Sequence, residues 1–179
     1  MRKLATEDLF NAYNKGQRDF KNLDLSGINL FDAQLPDVVL TGCNLSQVNL
    51  AYANLSRANL EKAQLKGANL SKAVLDHAYL QGATLLEASL LGAELAFAPL
   101  LSTNLENANL ENANLENANL TAACLIGANL TAANLSGCVL TKANLERCSL
   151  FRARAANVAE AIVYPSTIFP NGFPGVVEL

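Results

Sequence analysis

The chain has no tryptophan, a single histidine and only 6% aromatic residues, although 51% of it is hydrophobic. Any interior must therefore be filled by aliphatic side chains, which departs from an ordinary globule. No run approaches the ~18 apolar residues that a membrane-crossing helix needs. The opening segment "MRKLATEDLF" meets Glu7 and Asp8 before the apolar stretch of a signal peptide develops. These absences point to a soluble, cytoplasmic protein of 179 residues with no membrane partner. One-sided charge is missing too: 13 Lys and Arg stand against 16 Asp and Glu, for a formal charge of -3. That balance disfavours nucleic acid as a partner and equally disfavours a strongly acidic mimic of it.

Sites of reaction chemistry are scarce. Cys43, Cys124, Cys138 and Cys148 show no CxxC or CxH spacing and no disulfide grouping. They are expected to act as small buried hydrophobes in a reducing compartment. One histidine supplies too few ligands for a His-based metal site. His77 follows Asp76, but the pair falls at a turn position, and general-base work needs a pocket and a shifted pKa. GxGxxG, the P-loop and the nucleophile elbow are all absent. No enzyme is expected, and no catalytic, cofactor-binding or metal-ligating residue is assigned.

What the chain does have is a period of five. Residues 106–120 read "ENANLENANLENANL", and from Leu25 to Leu150 every position divisible by five is Leu, with Phe20 one step earlier. Two residues before each Leu, from Leu23 to Ala153, lies a second apolar position that is Ala in 19 of 27 cases. On a helix a step of five residues is a rotation of about 140°, which scatters the leucines around the cylinder. On a flat strand an odd step sends successive leucines to opposite faces. The Ala and the Leu are two apart and share a face, so the chain must turn in the two residues after each Leu. A chain that bends in one sense every five residues closes into a polygonal coil whose turns stack as a parallel sheet.

The stretches "ANLSRANLEKAQLKGANL" and "ENANLENANLENANLTAACL" resemble the pentapeptide-repeat family, whose units follow an A(D/N)LXX pattern. The resemblance runs from residue 20 to about 154. It implies an all-β fold: a right-handed quadrilateral parallel β-helix, a solenoid of about seven coils, with four units to the coil. The flanks resemble the terminal extensions of cyanobacterial members. Residues 1–19 are expected to form a short helical cap, started by Thr6, Glu7 and Asp8 and ended near Gly16. Residues 155–179 are expected to form an irregular C-terminal cap and tail, with a helical turn over "NVAEAIV" and with Phe169 and Phe173 docked on the last coil.

Further expectations concern side chains. Thr103, the main polar residue at an inward position, needs a hydrogen-bond partner. Outward asparagines, such as Asn29, Asn49 and Asn69, or Asn109 and Asn129, stack in columns suited to amide ladders. Glu106, Glu111 and Glu116 fall at successive corners, too separated to cooperate as acid and base. Around the fourth coil the outward positions turn apolar, at Leu86, Leu91, Phe97, Pro99 and Leu101. Tyr79, Phe97, Pro99 and Leu101 form the candidate contact patch, for an unidentified protein partner or for self-association.

Two functions follow. The first is a non-enzymatic interaction or scaffold module, which the family resemblance implies. The alternative is a DNA-mimicking protein that protects a type II topoisomerase (gyrase), as some family members do. The bases Arg57, Lys62, Lys66 and Lys72 interrupt the acidic surface that mimicry requires.

Overall fold

The computed structural model describes residues 1–174. Its backbone is built from one repeating set of hydrogen bonds. In the quintet around Leu65, the Leu65 N–H donates forward to the Thr84 carbonyl at 2.7 Å, and the Gly67 N–H to Leu86 at 2.9 Å. The Gln64 N–H reaches back to Cys43 at 2.9 Å, and the Ala68 N–H closes a turn onto the Leu65 carbonyl at 3.0 Å. Four N–H groups per quintet are thus satisfied by the backbone itself, as burial beside an apolar interior demands.

Parallel bridges step along the chain by 20, as in Asn29 to Asn49 to Asn69. Four quintets therefore make one circuit, and the circuit has four faces. The first carries Leu25, Leu45 and Leu65, the second Leu30, Leu50 and Leu70, the third Leu35, Leu55 and Leu75, and the fourth Leu40, Leu60 and Leu80. Every Leu of the series is buried, as are the Ala residues two places before them from Ala33 to Ala153. From Ala53 onward only small side chains accompany the leucines, because the two share one narrow interior, whereas Leu23, Ile28, Val38 and Val48 stand at that position in the first coils.

Each corner is a four-residue turn that starts at the Leu. Its third residue sits at positive φ, as at Asp32 (55°), His77 (58°) and Phe97 (59°). A type II turn requires this conformation, which usually selects Gly or Asn. Here Lys, Arg, Glu, Tyr and Phe also adopt it, so cooperative ladder bonding overrides a local cost of ~1 kcal/mol per residue. Asparagine before the Leu eases the turn. Its Oδ1 accepts the N–H two residues on, as from Ser46 to Asn44 at 3.2 Å and Thr121 to Asn119 at 3.0 Å, a local bond that Asn makes readily. The columns also form amide ladders. Asn49 donates to Asn29 at 3.0 Å, Asn129 to Asn109 at 3.2 Å and Asn134 to Asn114 at 3.0 Å.

At the start of the chain, β1 (Arg2–Lys3) pairs in parallel with β2 (Leu23–Asp24). Helix α1 (Thr6–Asn14) follows, with Glu7 and Asp8 in its first turn where the helix dipole favours them. Ala5 is the N-cap, with no side-chain cap bond, so Thr6 opens the helix rather than capping it. Gly16, at φ 96°, ends the segment. Leu9 and Tyr13 are buried, and the Tyr13 hydroxyl donates to the Pro36 carbonyl at 2.8 Å.

At the other end the register slips. Asn144 bridges Ile162 and Ser149 bridges Ile168, so the step shortens to 18 and then 19. The "NVAEAIV" stretch is not helical. The Ala161 N–H closes a turn onto Val158, and Ile162 then joins the ladder. The ladder's waiting donors and acceptors win over local helix propensity here. Phe169 packs partly buried against the core, whereas Phe173 is 68% exposed and does not dock. Residues 175–179, which include Gly175 of the expected tail, lie outside the described residues.

Candidate protein-contact surface

Every outward side chain lies in a vertical column with its equivalents one circuit away, so the surface reads as columns. The middle column of the fourth face runs Asp19, Val39, Asn59, Tyr79, Pro99, Asn119, Val139. Bridges link each step except Tyr79 to Pro99. Proline has no N–H, so the bond that Tyr79 and Asn119 send back one circuit, to Ala58 and Ala98, has no counterpart at Pro99. Among the described residues the Ala78 carbonyl receives no backbone donor. The forward bond from the Leu80 N–H to Pro99 survives at 3.0 Å.

The corner column beside it runs Asp37, Arg57, His77, Phe97, Asn117, Gly137. Arg57 forks onto Asp37 with bonds of 2.7 and 2.6 Å. That hydrogen bond and the adjacent positive charge hold the Asp37 carboxyl below its ordinary value. One circuit further, the His77 ring stacks on Phe97 at 5.1 Å between centroids and 8° between planes. His77 is exposed, so it lacks the enclosure that acid–base work needs.

The four patch residues come together. Phe97 is 50% exposed, Tyr79 47% and Leu101 37%, while Pro99 is half-buried between Phe97 and Leu101, one circuit from Tyr79. Leu101 stacks in its column above Gln81, whose Oε1 is shielded from solvent with no hydrogen-bond partner among the described residues. Leu86 and Leu91 belong to other corners and are not part of this patch. A second exposed pair, Phe31 against Tyr52 with centroids 5.6 Å apart and edge to face, lies at the corner between the second and third faces. Phe31 and Tyr52 occupy adjacent positions of successive circuits, so four quintets to the circuit brings the two rings to one corner.

The remaining chemistry is spare. Thr103 is fully buried, and its hydroxyl donates to the Leu80 carbonyl at 2.9 Å. Cys43 and Thr167 make the same inward bond, to Phe20 and Leu145. Cys43, Cys138 and Cys148 are buried, but Cys124 occupies an outward column and is only half-buried, contrary to the expectation for all four. Burial pushes the Cys138 and Cys148 thiols up to about 12. A cavity of about 200 Å³ lies where the ladder slips, lined by Cys138, Leu140, Asn157 and Glu160 among others. Among the described residues, no group of three or more His, Cys, Asp or Glu is placed to hold a metal ion, and no helix is long and apolar enough to cross a membrane.

The stacked circuits are a repeat β-helix, and solved structures share it. Two trypsin-treated forms of QnrB1, described as a plasmid-mediated fluoroquinolone resistance protein, superpose with TM-scores of 0.67 and 0.68. They are 24% and 22% identical, over 78% and 86% of this chain and 73% and 80% of theirs. Rfr23, from the cyanobacterium Cyanothece 51142, is 32% identical over 77% of this chain and 92% of its own, with a TM-score of 0.37. No curated protein matches the chain in sequence. The family model for a pentapeptide repeat region matches residues 17–90, and that for pentapeptide repeats (8 copies) matches 100–137 and 128–158. The chain belongs to the pentapeptide-repeat family.

Proposed function

We propose that this chain is a non-enzymatic interaction module: a right-handed quadrilateral rod of about seven coils over residues 20–154, capped by residues 1–19 and 155–179, that presents its fourth face to a protein partner. The observation that carries the reading is the cluster of Tyr79, Phe97, Pro99 and Leu101, with three large apolar side chains more than a third exposed on one rigid face. An exposed apolar cluster on a scaffold whose interior is otherwise filled by Leu and Ala needs a reason other than folding. Aromatic and aliphatic anchors of this kind dominate binding energy where proteins meet. The Phe97→Ser/Leu101→Ser double variant tests it. The melting curve should be retained and partner binding abolished; pull-down and self-association profiles identical to the parent protein would refute the patch.

Gyrase protection by DNA mimicry is the second reading, favoured by the fold shared with QnrB1. It calls for a long acidic stripe. Lys62, Lys66 and Lys72 on one side, and Lys142, Arg147, Arg152 and Arg154 on the other, confine the acidic surface to the middle of the rod. A gyrase supercoiling assay with a fluoroquinolone present separates the two readings, since only a mimic rescues the enzyme.

A further inference from the structure

We infer that the fourth-face patch receives a cationic and apolar segment of a different protein, an inference that rests on the interaction reading above. Between Ala73 and Thr141 the chain carries Asp76, Glu87, Glu94, Glu106, Glu111 and Glu116 and no Lys or Arg. Seven acids and nine bases precede that span, and three acids and four bases follow it, so a strongly negative belt lies between weakly positive ends. Along the chain the whole patch falls inside the belt; in space Lys62 lies one circuit below Gly82, at the Leu101 corner, so the negative rim is the one at the Phe97 corner.

Position sharpens the point. Asp76 immediately precedes His77 at the corner, and Asp76, Ala96 and Glu116 form one column, so Ala96, the neighbour of Phe97, has a carboxylate one circuit to either side. Asp76 accepts the Ala96 N–H at 3.0 Å through Oδ1, which fixes its carboxylate beside the patch and leaves Oδ2 for a ligand. Glu94 lies on the adjoining third face, three residues before Phe97. The base nearest along the corner column, Arg57, is already forked onto Asp37. Among the described residues, one rim of the apolar cluster is therefore carboxylate without a counter-ion.

Gln81 Oε1, beneath Leu101, has no donor, and the Ala78 carbonyl beside Pro99 has lost its ladder donor. Both are closed to solvent, so the acceptors open to a ligand are the carboxylates at the Phe97 corner. Lys and Arg side chains supply only donors, together with an aliphatic stem that can lie along Tyr79 and Leu101. Arginine can also stack on the exposed Phe97 and His77 rings.

The same rim argues against a second copy. Two-fold pairing of the patch with itself brings equivalent surfaces together, so Asp76 and Glu116 would face a like-charged rim. Phosphate backbones are repelled for the same reason.

The test uses the full chain and two short synthetic peptides, one alternating Leu and Arg and one with Glu in place of every Arg, read by fluorescence anisotropy. The Arg peptide should bind, and binding should weaken as salt shortens the screening length from about 10 Å to about 3 Å. Asp76→Asn and Glu116→Gln should each weaken it roughly two- to fivefold, while Glu111→Gln, at a different corner, should not. Equal binding of the Glu peptide, or equal effects of all three substitutions, overturns the inference. So would salt-sensitive oligomers of the chain alone that Phe97→Ser/Leu101→Ser dissolves. The interaction reading fails separately, if that double variant keeps every partner the parent protein binds.

Discussion

The Thr103 hydroxyl donates to the Leu80 carbonyl at 2.9 Å, from a position where most quintets carry alanine. The same carbonyl also accepts the turn N–H of Ala83 at 3.0 Å. Removing the hydroxyl therefore leaves no orphaned acceptor. Thr103→Val keeps the shape and loses one buried bond, so it should cost about 1 kcal/mol. Leu105→Ala, in the same quintet, should cost about 2–5 kcal/mol because it opens a cavity that the ladders keep from collapsing. Urea denaturation of the two variants checks the ratio.

Gly137 sits at φ 69° one circuit above Asn117, and a Cβ there would run into the Asn117 Oδ1. Ala122 and Ala132 hold the same backbone conformation at other corners, so φ alone does not forbid alanine. Gly137→Ala should then lose about 1 kcal/mol, and much of that should return in the Asn117→Ala/Gly137→Ala pair. A double-mutant cycle measures the coupling.

The buried thiols predict alkaline sensitivity. Cys138 and Cys148 hold their protons up to about 12 in the fold, against an ordinary value of 9.0. Their contribution to stability is complete below pH 9 and is lost as the pH rises through the window from 9 toward 12, because only the unfolded thiols ionise there. Thermal melts across that range should fall, and Cys138→Ala/Cys148→Ala should flatten the decline. Alkylation of the folded chain should reach half-buried Cys124 first.

Acid has a local target. Asp37 is held below its ordinary value of 3.8 by Arg57. That pairing is present above the unfolded value and lost as pH falls through the lower, folded one. Both side chains are more than half exposed, so Asp37→Asn should leave neutral-pH stability nearly unchanged and remove only a small acid-limb component. Thermal melts of the variant and the parent at neutral and acid pH check this.

Much of the fold was legible because one physical constraint repeats. Leu65 and Ala68 declare their inward direction from sequence alone, and Thr103 declares its need for a partner. The shortened steps that bring Ile162 and Ile168 into the ladder were not legible, since the Leu series ends before them and the ladder accepts any backbone. Cys124 lies between Ala123 and Leu125, where the repeat points a side chain outward, so its register and not the burial tendency of cysteine decides its place. Tyr79, Phe97, Pro99 and Leu101 could be placed on one face as soon as four quintets per circuit was assumed. The stack of His77 on Phe97, one circuit apart, depends on side-chain torsions that no repeat pattern specifies.

The central claim, that the fourth face is the contact surface, is tested most directly by site-specific photocrosslinking in native extract. A photoreactive residue at Tyr79 on the fourth face is compared with one at Asn69, an exposed position on the opposite second face. The account predicts a discrete crosslinked protein from position 79 and none from position 69. Equal crosslinking from both, or a product from position 69 alone, would contradict it.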